Sequence, residues 1–127
     1  MRNQRLIAAF AATALWLAAF VATAAPTATA QREIDALIDE LGTSRCEFER
    51  NGSWHDAKAA RAHLQKKYDY LRKRNMADTA ELFIERGASK SSMSGKAYRV
   101  RCPGKVAEPS ERWFRQRLRT LRGVSPR

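Results

Sequence analysis

Apolar positions recur with helical period over most of this chain, and two short stretches break into alternation. Ile34, Leu37, Ile38 and Leu41 repeat at three- and four-residue spacing, so a helix from Glu33 presents them on one face, with Gly42 where a left-handed cap is expected. Arg45 to Arg50 alternates like a strand. Cys46 and Phe48 share one side with Arg50, and Glu47 and Glu49 share the other. Asn51-Gly52 is a turn dipeptide, and Ser53 with Asp56 suggests a helix start of capping-box type. A long helix over Asp56–Lys73 follows, its stripe traced by Ala57, Ala60, Leu64, Tyr68 and Leu71.

Asp78 is the expected cap of a third helix that turns Ala80, Phe83, Ile84 and Ala88 inward. Gly87 to Gly95 is rich in serine and reads as a loop. Alternation returns at Lys96–Cys102, with Tyr98, Val100 and Cys102 on one face and Arg99 and Arg101 on the other. If the two alternating stretches pair antiparallel, Glu47 and Glu49 lie opposite Arg99 and Arg101, where unlike charges are mildly favourable. Pro109-Ser110 opens a last helix to Arg122, closed by Gly123 and docked by Trp113, Phe114, Leu118 and Leu121. The pattern predicts an α+β fold: about four helices packed on a small antiparallel sheet, in one small domain over residues 31–127.

The first thirty residues follow another logic. A basic start with Arg2 and Arg5 precedes an apolar run from Leu6 to Val21, then small-x-small sites ending at Ala24 and at Ala30. This is the layout of a signal peptide over residues 1–30, cut after Ala24 or Ala30, and it implies a periplasmic or secreted protein. The apolar run is short of the ~20 residues that span a bilayer, so no transmembrane segment is expected in the mature chain. In an oxidising compartment the only two cysteines, Cys46 and Cys102, are expected to form one structural disulfide. No Cys-x-x-Cys motif marks a redox pair.

Charge narrows the partners. The full chain carries +11, and removing Arg2 and Arg5 leaves +9. Such an excess favours anionic partners: anionic lipid, lipopolysaccharide or an acidic protein. Export disfavours nucleic acid. The ridge of Arg112, Arg115, Arg119 and Arg122 on the last helix suits an anionic surface, with Trp113 near the interface. The loop from Ser89 to Lys96, with Ser91, Ser94, Gly95 and Lys96, offers hydroxyls, close backbone approach and positive charge to an anionic group. It is not a phosphate-binding P-loop, because Ala97 follows Gly95-Lys96.

Arg50 sits on the core-facing side beside Asn51 and needs a partner there. It either satisfies carbonyls near the turn or joins His63 in a pocket for a carboxylate or phosphate. His63 is also the candidate general base of a small hydrolase or transferase, with Ser91 or Ser94 as hydroxyl and Asp69 as carboxylate. No Gly-x-Ser-x-Gly elbow supports that alternative, and an enzyme is not the favoured reading. His55 and His63 are too far apart on a helix to share an ion, and neither a metal nor a cofactor is expected.

Several of these positions form a wider pattern: Phe48-x-Arg50-Asn51-Gly52, Ala57, Ala60, His63-Leu64, Lys67-Tyr68, Phe83-Ile84, Ala88-Ser89, Ser91, Ser94-Gly95-x-x-Tyr98 and Trp113. The pattern resembles a family of small exported bacterial proteins catalogued as domain of unknown function 5329. The resemblance covers nearly all of the mature chain and implies no activity. Ser94-Gly95-x-x-Tyr98 also resembles a short motif of exported lysozyme inhibitors, which implies an inhibitor or interaction module. A charge of +9 would repel a basic lysozyme.

Overall fold

The computed structural model describes residue 9, residues 11–19 and residues 27–124. The basic start and the candidate cut after Ala24 lie outside them. Residues 11–19 carry no regular secondary structure, and Leu15, Trp16 and Leu17 stand exposed. No helix among the described residues is long and apolar enough to cross a membrane.

Among the described residues, four helices pack on one face of a four-stranded antiparallel sheet. The order along the chain is α1 (Ala28–Thr43), β1 (Glu47–Arg50), β2 (Ser53–His55), α2 (Ala57–Lys73), α3 (Ala80–Phe83), β3 (Arg99–Arg101), β4 (Glu108–Pro109) and α4 (Ser110–Leu121). Across the sheet the order is β2-β1-β3-β4.

The first helix starts earlier than its apolar period announces. Thr27 caps it by accepting from the Ala30 amide, and Ala30 is buried. Gly42 is not a left-handed cap. The helix runs past it to Thr43, Ser44 caps it, and Arg45 takes the positive φ of 58°. Close packing explains the glycine, since a Cβ there would lie 2.6 Å from Cδ of Arg61 on α2.

Asn51 and Gly52 both have positive φ, 50° and 83°, the geometry of a two-residue hairpin turn. The chain therefore folds back as β2, and Ser53 pairs with Arg50 instead of starting a helix. Asp56 alone caps α2, accepting from the Ala59 amide. Thr79, not Asp78, caps α3 through its hydroxyl and the Leu82 amide. α3 then loosens into one π-turn over Ile84–Ala88, where Gly87 lets the backbone close on Phe83 and Leu71. The second alternating stretch is shorter than expected: β3 covers Arg99–Arg101, and an isolated bridge joins Lys90 to Ala97.

The expected sheet pairing is observed. Glu47 faces Arg101 and Glu49 faces Arg99, and the first pair is bonded at 3.0 Å. The same register sets Cys46 against Cys102, which form a disulfide with Cα atoms 4.1 Å apart. Inside, Ile34, Leu37, Ile38 and Leu41 of α1 meet Leu64 and Tyr68 of α2, Phe48 and Val100 of the sheet, and Phe114 of α4 in one core. Trp113 is buried in that core and does not lie at the surface, while Leu121 is 44% exposed and does not dock.

Candidate functional site

Where α2 crosses the end of the β1 hairpin, four side chains form a hydrogen-bonded row. Strand alternation turns Arg50 inward, and the helical period puts His63 and Lys67 on the same side of α2, one turn apart. Tyr98 reaches them from the stretch leading into β3. Arg50 Nη1 lies 2.6 Å from Nδ1 of His63, Nε2 of His63 lies 3.2 Å from the Tyr98 hydroxyl, and Lys67 Nζ lies 3.1 Å from the same hydroxyl. Phe48 closes the row from below, its ring 4.9 Å from that of Tyr98.

Donor and acceptor roles follow from chemistry. A guanidinium only donates, so Nδ1 of His63 is the acceptor and the ring is the neutral Nε2–H tautomer. Nε2–H then donates to the Tyr98 oxygen, and so does the Lys67 ammonium. Both lone pairs of that oxygen are filled, and its own hydrogen has no acceptor in the row. Lys67 also donates to the carbonyl of Lys90 at 3.0 Å and keeps a third hydrogen. No carboxylate joins these contacts.

The titration behaviour has the same origin. Burial, then the charges of Arg50, Lys67, His55 and Lys66, lower His63 to about 4, so the ring stays neutral at physiological pH. Burial and then Arg50 lower Lys67 to about 8, which leaves it mostly protonated near neutrality. Burial raises the Tyr98 phenol, opposed by Arg50. The site therefore holds cations in partly desolvated positions without an anion to balance them.

The other sequence candidates fall around this row or away from it. Ser94 donates to Asn51 Oδ1 at 2.6 Å, so Asn51 and Ser94 join the serine loop to the hairpin turn beside Arg50. Ser94 also accepts from the Lys96 amide, and buried Ser91 accepts from the amides of Met93 and Ser94. These hydroxyls and amides hold the loop's own shape, with Gly95 at a positive φ of 71°. Among the described residues no hydrogen bond joins His63 to Ser91, Ser94 or Asp69; Asp69 accepts from Gln65 and Arg72.

The arginine ridge is partly spent. Arg115 pairs with Glu111, and Arg122 with Glu33 and Glu81, while Arg112 and Arg119 stand exposed. Among the described residues no three His, Cys, Asp or Glu side chains gather closely enough to hold a metal ion.

The residues missed from sequence are Lys67 and Tyr98. Lys67 lies four residues after His63, a spacing that was available as a signal. Alternation places Tyr98 in the core, where it is found; only its hydroxyl serves the row.

Residues 28–122 match a family described as "Family of unknown function (DUF5329)". The chain belongs to this family. A relative from Salmonella typhimurium strain LT2, named "Uncharacterized protein YfeK", is 39% identical over 69 residues, which are 54% of this chain and 56% of the relative. The chain thus spans a little over half the length of that relative. No solved structure matches. The matched region of this DUF5329 member contains every residue of the Arg50–His63–Tyr98–Lys67 row.

Proposed function

We propose that this DUF5329 member is an exported, non-catalytic binding module that holds an anionic group at the Arg50–His63–Tyr98–Lys67 row. One observation carries the reading: the row contains donors and cations but no carboxylate. Partly buried charge left unbalanced is costly, and a site that retains it gains most when an anion arrives. Phosphate and carboxylate groups of envelope components have the required chemistry. Export is supported by the leader-like first thirty residues and by the Cys46–Cys102 bridge. The exposed Arg112 and Arg119 add long-range attraction for the same kind of partner.

Calorimetric titration with inorganic phosphate at low ionic strength tests the reading. Binding is expected to weaken as salt rises. Arg50→Gln and Lys67→Gln should each weaken it by about tenfold or more, the order of a lost charge-assisted hydrogen bond. Lys58→Gln, on the solvated side of α2, should not. Equal weakening by all three substitutions would mean that net charge alone attracts phosphate, and the site would be rejected.

A further inference from the structure

The row opens at its Lys67 end into a groove along α2 of about 350 Å³. His63 and Lys67 form one end. Lys66, Tyr70 and Leu71 also line it from α2, and Arg86 and Ser92 complete the lining. The groove has three formal cations and no carboxylate among its lining residues. Its volume falls near the lower end of ligand pockets, which run roughly 300–1,000 Å³.

The floor has a different character. Leu71 is nearly buried, and Tyr70 is 55% exposed although it is a large aromatic side chain. The Arg74 guanidinium stacks on the Tyr70 ring, 3.5 Å from its centroid. The alkyl stems of Lys66 and Lys67 extend this apolar surface. The groove thus combines cations with an apolar surface, and a bare ion would use only the cations.

Building on the anion-binding reading, we propose that the groove takes a phosphate monoester carrying an apolar arm, with the phosphoryl group at His63–Lys67 and the arm on Tyr70 and Leu71. Charge decides for phosphate over carboxylate. Lys66, Lys67 and Arg86 line the groove, and Arg50 stands behind His63. A carboxylate supplies one negative charge, whereas a phosphate monoester supplies about −1.5 to −2 at neutral pH, with three acceptor oxygens. The third hydrogen of Lys67 and the Ser92 hydroxyl are donors available to those oxygens.

Nuclear magnetic resonance titration of the isotope-labelled protein with four probes tests this. Phenyl phosphate carries both parts, glycerol phosphate replaces the arm by a polar one, inorganic phosphate has none, and phenol lacks the charge. Phenyl phosphate is expected to bind about tenfold more tightly than glycerol phosphate, the gain from covering one ring face. Tyr70→Ala should remove that difference and leave glycerol phosphate binding intact. In the unsubstituted protein, proton contacts should link the bound phenyl ring to Tyr70, a readout that needs no variant. Equal affinity for phenyl and glycerol phosphates would overturn the apolar-arm inference while the anion site stands. Phenol binding as tightly as phenyl phosphate would overturn the inference because charge would not be read. Absence of binding by all three phosphates would overturn both proposals.

Discussion

Lowering the pH from neutrality to about 5 should destabilise the protein through His63. The unfolded chain takes up this proton through the ordinary value of 6.5, whereas the folded chain resists it down to about 4. The unfolded state therefore binds more protons between those values, and stability falls as pH drops through the window. Above the window His63 is neutral in both states and contributes no slope. The gap sets a ceiling of about 3 kcal/mol once the window has been crossed. His63 is only partly buried, and screening by solvent brings the expected loss near pH 5 to about 1 kcal/mol. The loss has a concrete cause: a second ring proton would sit on Nδ1, against the Arg50 guanidinium 2.6 Å away. Urea unfolding followed by tryptophan fluorescence, at several pH values in this window, measures it. His63→Gln keeps an acceptor and a donor without titrating, and its stability should be nearly flat there. Parallel losses in the two proteins would refute the protonation argument and assign the slope to other groups.

Three further outcomes follow from the packing. Replacing both Cys46 and Cys102 by alanine releases a 56-residue loop and should cost at most about 4 kcal/mol in denaturant unfolding, the chain-entropy value. Gly87→Ala should destabilise by about 1–3 kcal/mol, because its Cβ would lie 3.0 Å from the fully buried Phe83 ring and 3.2 Å from Leu71; Gly42→Ala should also destabilise but by less in the same assay, since the Arg61 side chain that it meets is exposed and can shift. On the proposed export reading, the mature mass should match a chain starting at Ala25, because a cut after Ala30 would remove the Thr27 cap and the buried Ala30 from α1.

Hydrophobic period made the helices and the central strand pair legible. The agreement of Cys46 with Cys102 and of Glu47 with Arg101 was readable because a single register satisfies both. Short elements escaped for physical reasons. β2 has three residues, too few for alternation to register, and Ser53 and Asp56 together imitated a helix start. Gly42 imitates a helix cap because sequence shows a glycine without showing whether it serves a turn or a close approach, and only Arg61 of α2 decides. In the candidate site, the Arg50–His63 contact could be anticipated from strand alternation and an apolar-stripe edge. The participation of Tyr98 could not, since a core tyrosine reveals its hydroxyl's partners only when the third element is packed. The arginine ridge looked free along one helix, yet Glu33 and Glu81, distant in sequence, take Arg122.

If an anion completes the Arg50–His63–Tyr98–Lys67 row, the His63 ring nitrogens will sense it, since both are bonded within the row. Nitrogen resonance spectroscopy of His63, recorded across a pH series with and without inorganic phosphate at low ionic strength, gives the decisive measurement. Phosphate binding at the row should produce a saturable shift of both ring nitrogens and move the ring's titration up from about 4, as the anion offsets Arg50 and Lys67. Unchanged ring resonances and an unchanged titration, with phosphate in large excess, would contradict it.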